Sequence, residues 1–106
     1  MQTFVFTLSN KCRGQGTNKL LLAHVGHLKR LKTSGNLVIC GPYSDNDGAI
    51  QIIRARSVVE AKNLFEADPF IREGYYQSYD VRELFEACDE NNWLMDSDQT
   101  KGNLKK

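Results

Sequence analysis

A chain of 106 residues has room for one modest core and not for two. Its 41% hydrophobic and 25% charged content is that of an ordinary globular domain, and fourteen basic against thirteen acidic side chains leave a formal charge of +1. Such a chain has no long-range field to gather phosphate backbones or anionic membranes, which argues against nucleic-acid and membrane partners.

Cys12, Cys40 and Cys88 are odd in number and widely spaced, so neither a disulfide framework nor a zinc site is expected. Reduced thiols in a cytoplasmic protein are the plain reading. The opening Met1-Gln2-Thr3-Phe4-Val5-Phe6 has no basic n-region, and no stretch is apolar for long enough to span a bilayer.

Residues 3–8 alternate and are aromatic or β-branched, which predicts a first strand, followed by a polar, glycine-containing loop over 9–17. From Asn18 to Lys32 apolar residues recur at helical spacing, with Leu20, Leu21, His24, Val25, Leu28 and Leu31 on one side. Gly35 is placed to end that helix. Residues 36–40 and 49–55 read as a hairpin joined through Gly41-Pro42 and the turn Ser44-Asp45-Asn46-Asp47-Gly48. Ser57-Val58-Val59-Glu60 fits a capping box, with Val58, Ala61, Leu64 and Phe65 as the buried stripe of the helix it starts. Asp68-Pro69 predicts a further helical turn, and Gly74 releases the chain into a last strand over 75–84.

The order βαββαβ predicts an α+β ferredoxin-like sandwich over 1–88, with a polar tail over 89–106 that frays beyond Asp98. Apolar groups fall on both faces of the predicted strands: Val5 opposes Phe4 and Phe6, Val38 and Cys40 oppose Leu37 and Ile39, and Ile53 opposes Ile50 and Ile52. Two helices cover one face, so a face-to-face homodimer is expected.

The residues most able to do chemistry are His24 and Asp68. On the helical wheel His24 falls near the middle of the apolar stripe and His27 towards its edge, about 60° away, so His24 is expected to face the sheet and His27 to flank it. A buried imidazole needs a hydrogen-bond partner, and a core carbonyl would serve. Asp68 has a plain reading as a helix cap. The same ionised carboxylate would also orient an imidazole, fixing its tautomer and leaving the second nitrogen free to accept a proton.

Weaker motifs carry less. Gly14-Gln15-Gly16-Thr17-Asn18-Lys19 lacks the completing residues of a dinucleotide or phosphate loop, and Asp45-Asn46-Asp47-Gly48 lacks the spacing of a calcium loop. His24 and His27 have no third ligand at diagnostic spacing, so no metal is expected. Tyr75, Tyr76 and Tyr79 read as core or interface aromatics, with Tyr76 and Tyr79 on opposite faces, and Arg54 and Arg56 as solvated strand-end charges.

The series His24, Gly35, Gly41-Pro42, the Gly48 hairpin, Ser57, Ala67-Asp68-Pro69-Phe70 and Gly74 resembles the YciI-like (YCII-related) family over about residues 3–84. The resemblance implies a ferredoxin-like, dimeric α/β-barrel fold and an active site pairing His24 with Asp68. It departs at Leu21-Leu22, where many members carry Arg-Pro, so a positive charge beside the histidine is lost.

The function expected is cofactor-independent, lyase- or isomerase-type proton transfer by His24 and Asp68 on a small cyclic or phenolic metabolite, with Gly41, Pro42 and Phe70 contacting substrate. The alternative is a non-catalytic module that binds a small molecule in the same cleft of the same dimeric fold.

Overall fold

The computed structural model describes residues 1–105. Its elements run β1 (Gln2–Lys11), α1 (Asn18–Thr33), β2 (Leu37–Pro42), β3 (Ala49–Ala55), α2 (Val58–Glu66), α3 (Pro69–Arg72) and β4 (Tyr76–Leu84). A 3₁₀ segment at Asp89–Leu94 and a short helix α4 at Asp98–Gly102 follow. The four strands form one antiparallel sheet in the order β2-β3-β1-β4, the ferredoxin-like arrangement expected from the sequence.

Local signals set the helix ends. Thr17 accepts from the Leu20 amide at the start of α1, and the Ser57 hydroxyl accepts from the Glu60 amide at the start of α2. Gly35, at φ +81°, closes α1 in a Schellman turn, with its amide on the Lys32 carbonyl and that of Asn36 on the Leu31 carbonyl. At Gly48, φ is +129° and an added Cβ would lie 2.9 Å from the Leu8 carbonyl oxygen, so the β2–β3 turn packs against β1 only with glycine there.

The inward side chains of β1, Phe4, Phe6 and Leu8, meet Ile53 and Ala55 of β3 under Ala61 and Phe65 of α2 and Leu31 of α1. Phe6 and Phe65 stack with ring centroids 4.2 Å apart, and Tyr79 tilts against both. On the other face Val5, Ile39, Ile50 and Ile52 stand together without a covering element, Ile39 being 57% exposed.

Three sequence expectations are corrected. Val58, at the first position of α2, lies outside its buried stripe and is 41% exposed, while Ala61 and Phe65 reach the core. His27 is the more buried histidine, at 6%, and sits against the Leu64 carbonyl of α2. Phase alone locates the stripe of α1; the neighbour α2 decides which edge of it is covered. Tyr76, three residues from Tyr79, belongs by alternation on the opposite face, yet it joins the same core. Its ladder partner is Lys11, and between that pair and Ser9–Ser78 the strand passes through Asn10 at φ +56°. A left-handed residue inside a strand breaks the two-residue period locally and turns Lys11 and Tyr76 toward the helices.

Replacing Phe6 with alanine removes one half of the central aromatic stack. We expect a loss of about 3–5 kcal/mol of stability, read as a lower urea midpoint with an unchanged slope.

Candidate functional site

Asp68 is the residue around which the site is built. It follows the last turn of α2 at φ −64°, ψ 126°, the extended conformation a residue before proline prefers, and it caps α3 by accepting from the Phe70 amide at 2.9 Å. Its side chain is fully buried, at 0% exposure. A buried carboxylate is tolerated only when its oxygens are met by donors. Here His24 Nδ1 lies 2.8 Å from Oδ1 and 3.0 Å from Oδ2, and Gln51 Nε2 donates to Oδ2 at 2.9 Å. Burial pushes the Asp68 carboxyl up, but His24, through its hydrogen bond and its charge, outweighs that together with Gln51 and the Phe70 amide, so the net direction is down.

His24 is held in one further way. Its ring stacks on Phe70 with centroids 3.7 Å apart and planes 5° from parallel, and its side chain keeps 14% exposure. The tripeptide Asp68-Pro69-Phe70 therefore supplies both the acceptor that orients the ring in its plane and the face that fixes the plane. With Nδ1 donating to an ionised carboxylate, neutral His24 carries its free lone pair on Nε2, which has no hydrogen-bond partner among the described residues.

His24 is part of the wall of a cleft of about 320 Å³ between α1, the β2–β3 hairpin and the start of β4. Of the residues expected to contact a ligand, Gly41, Pro42 and Phe70 all line it, as does His24, whereas Asp68 stands behind the ring and does not reach the cleft. His27 is outside it. Burial pushes the His27 imidazole down, against the pull of Asp68 and the Leu64 carbonyl, and its Nε2 is enclosed without a partner.

Sequence reasoning missed three side chains of the site. Gln51 sits at an inward β3 position, and only its bond to Asp68 identifies it. Tyr76 and Lys11 enter through the break at Asn10. Burial pushes the Tyr76 hydroxyl up, with Tyr75 and Asp68 adding to the shift, so it stays a protonated donor at the cleft wall. A larger hollow of about 620 Å³ at the opposite end of the sheet, walled by Arg54, Leu84, Phe85 and Leu94, contains no histidine and none of the buried polar residues.

Fold and site together define an α+β ferredoxin-like domain whose first helix presents a carboxylate-oriented histidine to a small cleft. The YCII-related domain model matches residues 3–85, and the chain belongs to that family. A search of the curated proteins found no match. Among solved structures, the chain is similar to 5-chloro-2-hydroxyhydroquinone dehydrochlorinase from Burkholderia phenoliruptrix, in complex with 2,5-dihydroxybenzoquinone. The two share 22% identity at a TM-score of 0.64, with 85% of this chain and 98% of that one covered. At that identity the likeness is one of fold.

The lowered Asp68 carboxyl makes stability depend on pH with a definite sign. Its folded value lies below the ordinary 3.8, so the stabilisation is complete above 3.8 and drains away as pH falls through the lower, folded-state value. Acid unfolding followed by circular dichroism should show this loss in the native protein and a shallower one in Asp68→Asn, which has no charge to neutralise.

Proposed function

We propose that this protein is a small proton-transfer enzyme of the lyase or isomerase type, acting without an added cofactor on a small cyclic or phenolic molecule. His24 is the base and Asp68 its positioning partner. One observation carries the reading: both Asp68 oxygens face His24 Nδ1, which leaves Nε2 as the acceptor on a histidine that lines the cleft.

The chemistry follows from that arrangement. A flat ring entering past Gly41 and Pro42 meets the Phe70 and Tyr75 rings and brings a C–H or O–H to Nε2. As the proton transfers, the imidazole becomes cationic, and the ionised Asp68 behind it stabilises the charge with no reorganisation, because Gln51 and the Phe70 amide already hold the carboxylate in place. The Tyr76 hydroxyl is available to donate to oxygen on the developing anion. Electrons left on the ring leave with a β-substituent in a lyase or return with the proton at another carbon in an isomerase. The similar structure's name, a dehydrochlorinase bound to a dihydroxybenzoquinone, supports a small cyclic ligand for this cleft.

The test is turnover of a chlorinated hydroxyquinol or a related ring substrate. His24→Gln is expected to lower kcat by about 10²- to 10⁴-fold and Asp68→Asn by a comparable factor with KM little changed. Unchanged kcat in His24→Gln would sink the catalytic reading, and saturable binding with no turnover in the native protein would favour the binding module instead.

The reading includes a homodimer formed through the uncovered sheet face. Val5, Ile39, Ile50 and Ile52 make that face apolar at its centre, while Arg82 and Asp80 lie at its β4 side. Light scattering at micromolar concentration should return twice the 12.0 kDa chain mass, and Ile52→Glu should return the chain mass itself. A native monomer overturns the dimer.

A further inference from the structure

The cleft contains a cation that the proton-transfer chemistry does not use. Lys11 ends β1 and is turned into the cleft by the left-handed Asn10 just before it, whose side-chain amide is fastened to the Ser78 hydroxyl at 2.7 Å. Its ammonium lies 5.5 Å from the Tyr76 ring centroid and 6.0 Å from that of Tyr75. It donates to Asn46 Oδ1 at 2.6 Å and approaches the Asn46 carbonyl at 3.3 Å.

Both partners are neutral. Among the described residues, Arg13 and Arg54 each have a carboxylate within 4 Å, Asp47 and Glu86, while Lys11 has none. An ammonium has three hydrogens; with two on Asn46, one is left, together with a full unit of charge. Around it the cleft walls are largely apolar, with Leu8, Leu21 and Leu28 among them, and Asp68 is screened behind the His24 ring. A fixed, uncompensated cation in such surroundings attracts an anion more strongly than a solvated one. The wall rings, Phe70, Tyr75 and Tyr76, offer flat faces, and a volume of about 320 Å³ suits a single ring with its substituents.

We propose that Lys11 is the specificity residue of this cleft and that its ligand is a single-ring aromatic anion, with the charged oxygen on the Lys11 ammonium and the reacting edge toward His24. This rests on taking the His24 cleft as the ligand site. Asn46 positions the ammonium and so couples the β2–β3 turn to recognition: an anion takes the remaining hydrogen while the turn keeps the other two.

The probes are 4-hydroxybenzoate and 4-hydroxybenzamide, which share a shape and differ in charge near neutral pH. Titration calorimetry of the full chain at low salt should give about 10- to 100-fold tighter binding of the benzoate. Lys11→Met and Lys11→Gln should bring the two probes to equal affinity, the second while keeping a hydrogen bond to Asn46, and Lys11→Arg should retain the preference. Added salt should narrow it. Equal affinities in the native protein, a preference that survives Lys11→Met in a chain with native circular dichroism, or binding of neither probe would each overturn the proposal. Affinity is read without turnover, so the two readings fail separately. A charge preference at Lys11 beside full turnover in His24→Gln sinks the base, whereas turnover lost in His24→Gln beside equal probe affinities sinks the role of Lys11.

Discussion

A carboxylate placed where water cannot reach it is the constraint on which this structure turns. Asp68 has no exposure, and an uncompensated charge there would cost more than a small domain can offset. The compensation comes from three directions: His24 on α1, Gln51 on β3 and the Phe70 amide at the start of α3. One side chain thus ties the first helix, the sheet and the α2–α3 junction into a single geometry. The fold is needed to bury Asp68, and Asp68 in turn fixes where α1 may lie.

The same arrangement is what the proposed proton transfer would use. Donors that neutralise Asp68 are also those that hold it still, so the carboxylate can support a positive imidazole without rearranging. Phe70, two residues along the chain, adds a parallel ring 3.7 Å from that of His24 and leaves the imidazole little freedom to turn. The ring so held is part of the wall of a cleft that is mainly apolar.

In the proposed reading, recognition and chemistry come from different parts of the chain. The helix that carries His24 presents Leu21, not a cation, to the cleft, and the positive charge arrives instead from the end of β1. It does so through a single irregularity, Asn10 in the left-handed region, which also brings in Tyr76. A regular strand at that position would send both side chains to the uncovered face.

The element order, the caps at Ser57 and Asp68 and the glycine stop at Gly35 were legible in the chain, because each depends on neighbours within a few residues or on a repeating period. So was the nearness of the Gly41-Pro42 step to the cleft, through the family pattern. The deeper burial of His27, the exposure of Val58, the bond from Gln51 and the entry of Lys11 and Tyr76 were not. Burial depends on which element packs alongside, and a hydrogen bond between residues 17 or 44 positions apart leaves no periodic trace. The sequence by itself determined which local pieces form and which side chains are able to act. Only the tertiary structure decided which of them meet, because long-range packing and one backbone reversal at Asn10 set the final direction of each side chain.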